Sequence, residues 1–381
     1  MSAKKNILII CDWFLPGYMA GGPIQSVATL TKELGNDFNF KIITTDRDFK
    51  TDKAYDTIVA NKWTRFEERD VFYISPENIT EAYILEIVKQ TPHDVIYLNS
   101  LYSKFFSIIP LQWKRKKIID SKIILAPRGM LGDGALAIKP VKKRLFIFYA
   151  KCIGLVKGIT WQSTSAQETK EIKKRIGNDA SIVEISNLPN SAKEIKTILK
   201  NENTLKLCFI SRISEKKNLN YAIEVLKTIS NYKIELDVFG PIEDANYWET
   251  CKTNAKGLPQ NITFNYKGIL KPHEIGSTVQ NYHALFLPTL NENYGHIIVE
   301  TLQHGRMVIL SDQTPWRELS SEHVGYDISL DNSNEFKKAI EELCLLNQTQ
   351  FDEQSTSCIN YIKQKLNVDV IKNQYINLFN K

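Results

Sequence analysis

The sequence has no apolar run approaching the ~20 residues that a membrane-spanning helix requires. Its first apolar run, residues 7–10, is closed by Asp12 and is too short for a secretory signal core. Six cysteines are scattered along the chain without a C-x-x-C pair, so neither a zinc ribbon nor a dithiol redox motif is indicated, and reduced thiols in a cytosolic protein are expected. Histidines 273, 283, 296, 304 and 323 follow no metal-ligand spacing. A G-x-G-x-x-G dinucleotide fingerprint is missing, which leaves NAD unsupported. There is no solenoid-period repeat and no low-complexity tract. The net charge of +6 is too small to demand nucleic acid, and it suits an anionic ligand or an anionic membrane surface.

The 381 residues are 43% apolar and 24% charged, the balance of a soluble globular protein, and too long for one ordinary core. Short apolar runs at 6–11, 40–44, 95–98, 122–126, 205–210, 235–239, 262–266, 283–287 and 307–310 read as strands. Helical patterns at 24–34, 81–90, 220–228 and 334–347 alternate with them. This alternation predicts an α/β fold with parallel sheets covered on both faces. Turn chemistry at 187–190 and a polar stretch at 201–204 place a break near mid-chain, so two doubly wound domains are expected, with a cleft between them. Ligands of such sheets sit at the carboxyl ends of the strands. Residues 358–379 look helical.

Three segments carry the candidate chemistry. In the first, a strand ending near Leu287 leads through a loop with Pro288 and Gly295 into a helix from about His296 to His304. Glu292 is expected in the loop and Glu300 in the helix, beside N–H groups that attract phosphate. Two carboxylates there are suited to accepting hydroxyl hydrogen bonds from a ribose and a sugar. The plainer reading is one glutamate serving the helix dipole and one exposed. In the second, Arg212 and Lys217 follow a strand end at Ile210, placed either to hold one diphosphate or as a solvated basic turn. In the third, Gly21-Gly22-Pro23 follows the first strand, either letting backbone approach a phosphate or sugar, or making an ordinary tight turn.

Glu292 to Glu300, with Asn293-Tyr294-Gly295 between, resembles the E-x7-E segment of the GT-B glycosyltransferases of family 4. Gly305 to Asp312 is similar to that family's G-x-P-V-V-x-S strand entry, with Met307 in place of proline. The resemblance covers nearly the whole chain, most specifically 205–320. It implies a GT-B fold, α/β with two Rossmann-like domains: an N-terminal acceptor domain at 1–195 and a C-terminal donor domain at 196–361. A terminal helix at about 362–381 is expected to return to the first domain.

The implied activity is a retaining, metal-independent hexosyl or related transfer from a UDP- or GDP-sugar to a glycan, of the bacterial surface-polysaccharide type with a lipid-linked acceptor. No cofactor and no Asp-x-Asp metal site are expected. In the implied site, Glu292 orients sugar hydroxyls while Arg212 and Lys217 neutralise the leaving diphosphate. Glu300 takes the ribose, and Gly21 and Gly22 close over the phosphates. Asn293, Tyr294 and Gly295 complete the donor site, with base recognition near Gly240, Gly268 and Leu270.

The template departs at two places. Asn99 stands where many relatives end a strand in His-x-His-Gly, and Arg128, in Pro127-Arg128-Gly129, stands where many carry another histidine. No catalytic histidine is therefore assignable. Arg128 either contacts phosphate or acceptor or makes a structural ion pair, and His296 either touches the sugar or is a polar helix start. The segment 139–157 carries Lys139, Lys142, Lys143, Arg144, Lys151 and Lys157 among apolar residues with no acid. It reads as a peripheral contact with an anionic membrane at the cytoplasmic face, or as a core helix with a solvated basic face. Ser165 with Glu168 reads as a capping box. A non-catalytic nucleotide-sugar-binding partner of an assembly complex would lose Glu292 or the Gly-Gly loop, and this chain keeps both.

Overall fold

A computed structural model describes residues 4–137, 140–190 and 196–381. The chain forms two compact units, Met1–Leu188 with Val368–Lys381, and Pro189–Asn367. The boundary expected at 195 and the basic residue Lys139 lie outside the described residues.

The first unit is built on an eight-stranded sheet. Its strands are β1 (Asn6–Ile10), β2 (Asn39–Thr45), β3 (Trp63–Phe66), β4 (Arg69–Ile74), β5 (Val95–Leu98), β6 (Lys122–Leu125), β7 (Thr160–Ser163) and β8 (Ser181–Glu184). Their order is β3-β4-β2-β1-β5-β6-β7-β8, and every pairing is parallel except β3 with β4. Central strands such as Ile7 to Ile10 and Val95 to Leu98 are buried on both faces, which is why they read as continuous apolar runs. The sequence reading missed β3, β4, β7 and β8. β3 is an edge strand and β4 its neighbour; their charged residues (Arg65, Arg69, Asp70) hide the apolar pattern, and the exposed Arg65 of β3 blunts the edge.

The terminal helical stretch is two helices, Gln348–Lys365 and Val368–Asn380, rather than one. The second belongs to the first unit. Phe379 sets its ring edgewise against Phe38, Phe40 and Tyr97, and Lys372 pairs with Glu33 at 2.7 Å.

The second unit has a six-stranded, all-parallel sheet of β9 (Thr204–Ile210), β10 (Lys233–Phe239), β11 (Ile262–Gly268), β12 (Ala284–Leu287), β13 (Met307–Ser311) and β14 (Gly325–Ile328). The order is β11-β10-β9-β12-β13-β14. Each sheet therefore reverses its direction of winding once, between β1 and β5 in the first and between β9 and β12 in the second. Doubly wound sheets bind ligands outside the carboxyl ends at such points.

Polar side chains lock the base of the second sheet. His283 is buried; Lys206 N–H donates to its Nδ1 at 2.9 Å, so the proton sits on Nε2, 3.1 Å from Leu199 O. Burial lowers its pKa to about 4. Arg306, also buried, donates to the carbonyls of Gln280, Gly305 and Lys196 and lies over the Phe351 ring. Met307, in the family's proline position, gives a backbone N–H to His283 O at 3.3 Å, a bond proline would forgo.

Candidate active site

Lys217 follows β9 and Glu292 follows β12, so the two flank the switch point of the second sheet. Their loops are stitched together. Leu290 N–H and Thr289 Oγ1 both donate to Lys216 O, at 2.9 and 3.0 Å, and Asn218 Nδ2 donates to Pro288 O at 3.0 Å. Asn218 is in the left-handed region at φ 61°, a conformation asparagine tolerates better than most residues, and it opens the helix Leu219–Lys227. This stitching brings the Lys217 ammonium onto the Glu292 carboxylate, with the side chains 12% and 18% exposed. Burial alone would raise the Glu292 pKa. The adjoining Lys217 charge, with Lys216 and the Asn293 N–H, holds it below the usual carboxylate range.

Past Glu292 the chain turns through Gly295, at φ 79°, into the helix His296–Gln303. Tyr294 is buried, its carbonyl taking Trp316 Nε1–H at 2.6 Å and its ring lying 4.8 Å from that of His296. Asn293 and His296 are half-buried beside it. Glu300 lies one turn into the helix. Burial pushes its carboxyl up to about 7, opposed by the Gly276 N–H. Glu292 is thus held ionised while Glu300 is poised to titrate near neutrality.

Arg212 shares the β9 loop with Lys217 but pairs with Glu243 at 2.9 Å, on the loop after β10. No local sequence pattern singles out Glu243. Gly240 sits at the end of β10 with φ 135°; a Cβ there would fall 1.8 Å from Ser211 O, so only glycine fits. It donates to Gly268 O at 2.8 Å, which ties the ends of β10 and β11 together. Gly268 itself, at φ 86°, faces open space, and Leu270 just beyond it is half-buried.

In the first unit, Gly21 caps the helix Gly22–Glu33 with φ 74° and open space where a Cβ would stand. The preceding loop hangs on Asp48, whose carboxylate accepts the N–H groups of Tyr18 (2.8 Å), Met19 (3.1 Å) and Phe49 (2.7 Å). Asp46-Arg47-Asp48 is an Asp-x-Asp by spacing, against the expectation of none. Its carboxylates are engaged, Asp48 by these N–H groups and Asp46 by Arg47 at 2.8 Å. Asp12, just past the end of β1, does more than close the strand. Its carboxylate accepts Ser103 Oγ–H at 2.6 Å and Ser100 Oγ–H at 3.2 Å, and burial raises its pKa.

Among the described residues Arg128 makes no ion pair. Its guanidinium donates to Asn99 Oδ1 (2.7 Å), Asn187 Oδ1 (2.5 Å) and Tyr97 Oη (3.0 Å), all neutral. Glu168 departs from the capping box. Ser165 does accept the Glu168 N–H, but the carboxylate turns to Gly129 N–H (2.5 Å) and Thr164 N–H (2.7 Å) to hold the Arg128 loop. The helix Pro140–Cys152 buries Ile147 and Ala150, yet Val141, Leu145, Phe148 and Tyr149 are 56–70% exposed, so its outer face is not simply a solvated basic one. Among the described residues no helix is long and apolar enough to cross a membrane.

Residues 190–365 match the family model described as glycosyl transferases group 1. Comparison with curated proteins finds no match. Among solved structures, the sucrose-phosphate synthase of Thermosynechococcus elongatus is similar at a TM-score of 0.73 and 14% identity, over 99% of this chain and 98% of that one. Anabaena HepE, in complex with UDP and glucose, is similar at 0.72 and 12%, over 99% of both chains. WaaG, a glycosyltransferase involved in lipopolysaccharide biosynthesis, follows at 0.65 and 11%, over 98% and 99%. The fold is that of the GT-B glycosyltransferases, with two Rossmann-like parallel-sheet domains.

Proposed function

We propose that the chain is a retaining glycosyltransferase of family 4 that moves a hexosyl or related sugar from a nucleotide-diphosphate sugar to a growing glycan. The observation that carries this reading is the Lys217–Glu292 pair at the β9/β12 switch point, inside the segment matching the group 1 family model. Two of the similar structures, HepE with UDP and the lipopolysaccharide enzyme WaaG, support a UDP-sugar donor and a surface-polysaccharide acceptor.

The roles follow from charge. As the bond from sugar to phosphate breaks, negative charge grows on the diphosphate and positive charge on the ring. Lys217, Arg212 released from Glu243, and the N-terminus of the His296–Gln303 helix stabilise the diphosphate without a metal. Glu292, kept ionised, accepts sugar hydroxyl hydrogens beside the positive ring. Glu300 takes the ribose hydroxyls. Asn293, Tyr294 and Gly295 shape the sugar pocket with His296 at its edge, and Gly240, Gly268 and Leu270 frame the base. Gly21 and Gly22 keep a donor-phosphate role. The helix Pro140–Cys152, with four exposed apolar side chains on one face among Lys142, Arg144 and Lys151, rests on an anionic membrane surface that presents a lipid-linked acceptor.

The test is a thermal-shift screen of the full chain against UDP-, GDP- and ADP-sugars. Transfer onto polyprenyl-diphosphate glycans then follows, with the anomeric configuration of the product read by NMR. Stabilisation by one nucleotide class and a product of retained configuration are expected. No stabilisation and no transfer with any donor contradict the reading.

A further inference from the structure

The carboxyl ends of β5 and β6 hold a polar cluster that the donor roles leave unused. Arginine only donates, so the Asn99 atom facing Arg128 must be the carbonyl oxygen, and the amide cannot be flipped. This fixes the Asn99 Nδ2 group as a donor, and it is buried without any partner on a residue only 4% exposed. A buried donor without an acceptor is destabilising, so this group calls for a partner. Beside it, Arg128 uses one hydrogen on each of its three nitrogens, which leaves two of the roughly five guanidinium hydrogens.

The cluster is held firmly. Tyr97 Oη, which accepts from Arg128, donates to Gln162 Oε1 at 2.9 Å, and Gln162 Nε2 donates to the carbonyls of Ser163 and Ile185. Arg128 and Gly129 are both left-handed, at φ 54° and 73°, a backbone an arginine rarely adopts, kept in place by Glu168 on Gly129 N–H. Glu168, the carboxylate that the described residues place in this network, is engaged by backbone N–H groups and by the Thr164 hydroxyl at 2.8 Å. A rigid cation and unmet amide hydrogens therefore converge where a parallel sheet binds ligands, and both call for an oxygen acceptor of negative charge.

We propose that Arg128 and Asn99 form an oxyanion subsite for a phosphate group of the acceptor. The assignment to the acceptor rests on the glycosyltransferase reading, since the cluster lies on the unit that lacks the Lys217 and Arg212 cations. The anion itself could instead be the donor's diphosphate, and the experiment separates the two sources.

Full-length protein is first saturated with UDP, so that the Lys217 and Arg212 cations are occupied. Inorganic phosphate is then titrated calorimetrically at fixed ionic strength. The wild type is expected to bind phosphate saturably. Arg128→Gln and Asn99→Asp are expected to weaken phosphate about tenfold or more, with UDP affinity unchanged. Asn99→Asp keeps the side-chain volume and supplies Arg128 with an internal carboxylate, so it remains informative if Arg128→Gln folds poorly; circular dichroism checks both. No phosphate binding by the wild type, or equal binding by the variants, overturns the subsite. Parallel loss of UDP affinity in the variants assigns the cluster to the donor and overturns the acceptor role. If the wild type does not bind UDP at all, the glycosyltransferase reading fails, and the same titration without UDP still decides whether Arg128 binds an anion.

Discussion

The Lys217 ammonium sits on the Glu292 carboxylate although the two lie 75 positions apart in sequence, because β9 and β12 are neighbours in the sheet and their loops leave its carboxyl edge together. The pair sets the electrostatics of the site. A carboxylate this sheltered would drift toward the protonated state, and the adjoining cation reverses that drift.

The two glycines framing the ends of β10 and β11 separate backbone strain from steric exclusion. Gly240→Ala drives a Cβ to 1.8 Å from Ser211 O and must displace the loop carrying Arg212 and Lys217. Gly268→Ala meets nothing within 4 Å and carries only the strain of φ 86°, about 1–2 kcal/mol. Chemical denaturation is expected to show a much larger loss for Gly240→Ala, together with loss of nucleotide binding.

Glu300 is expected to give donor binding a pH dependence. If its carboxylate accepts ribose hydroxyl hydrogens, the ionised form binds better, and that form grows as pH rises through about 7. A nucleotide sugar such as UDP-glucose carries a fully ionised diphosphate diester and adds no titration of its own. Its affinity is expected to fall by up to about tenfold per unit below pH 7. In Glu300→Gln the profile is expected to be flat, and calorimetry between pH 5.5 and about 8 distinguishes the two cases.

His283 and Glu300 pull stability in opposite directions. The folded His283 pKa is depressed from 6.5 to about 4, so its contribution is full above pH 6.5 and is lost as pH falls toward 4. The folded Glu300 pKa is raised from 4.5 to about 7, so its contribution is full below pH 4.5 and is lost as pH rises toward 7. Between 4.5 and 6.5 the two slopes oppose each other. Relative to wild type, Glu300→Gln is expected to gain stability with rising pH across this window, and His283→Gln to lose it. Denaturant titrations at several pH values read both slopes.

The exposed face of the Pro140–Cys152 helix predicts attachment that combines apolar insertion with charge. Full-length protein is expected to co-sediment with vesicles containing anionic lipid at low salt and to release as salt rises. Leu145→Glu with Phe148→Glu, both more than 60% exposed, is expected to abolish sedimentation without altering thermal stability. Sedimentation unaffected by the double substitution would remove the membrane role.

The central strands were legible in the sequence because a parallel strand buried on both faces must be apolar throughout, as at Ile7 to Ile10 and Met307 to Leu310. β3 and β8 at the sheet edges were not, since solvent on one side permits the charges that mask them. The loop positions of Glu292 and Lys217 were readable from the strand ends before them, but their contact depends on strand order, which no local pattern encodes. The Arg128 partners were invisible for the same reason. Tyr97, Asn99 and Asn187 come from strand ends whose neighbourhood exists only in the folded sheet. Glu243 and Arg306 gave no signal, as single charges whose partners are distant in sequence.

The most direct test of the account is the release of nucleoside diphosphate from the nucleotide sugar that stabilises the protein, measured with glycan acceptor for wild type, Lys217→Ala and Glu292→Gln. Loss of turnover by about 100-fold or more is predicted for each variant. Donor binding is predicted to weaken in Lys217→Ala and to persist in Glu292→Gln. Turnover near that of the wild type in both variants would contradict a donor site built on this pair.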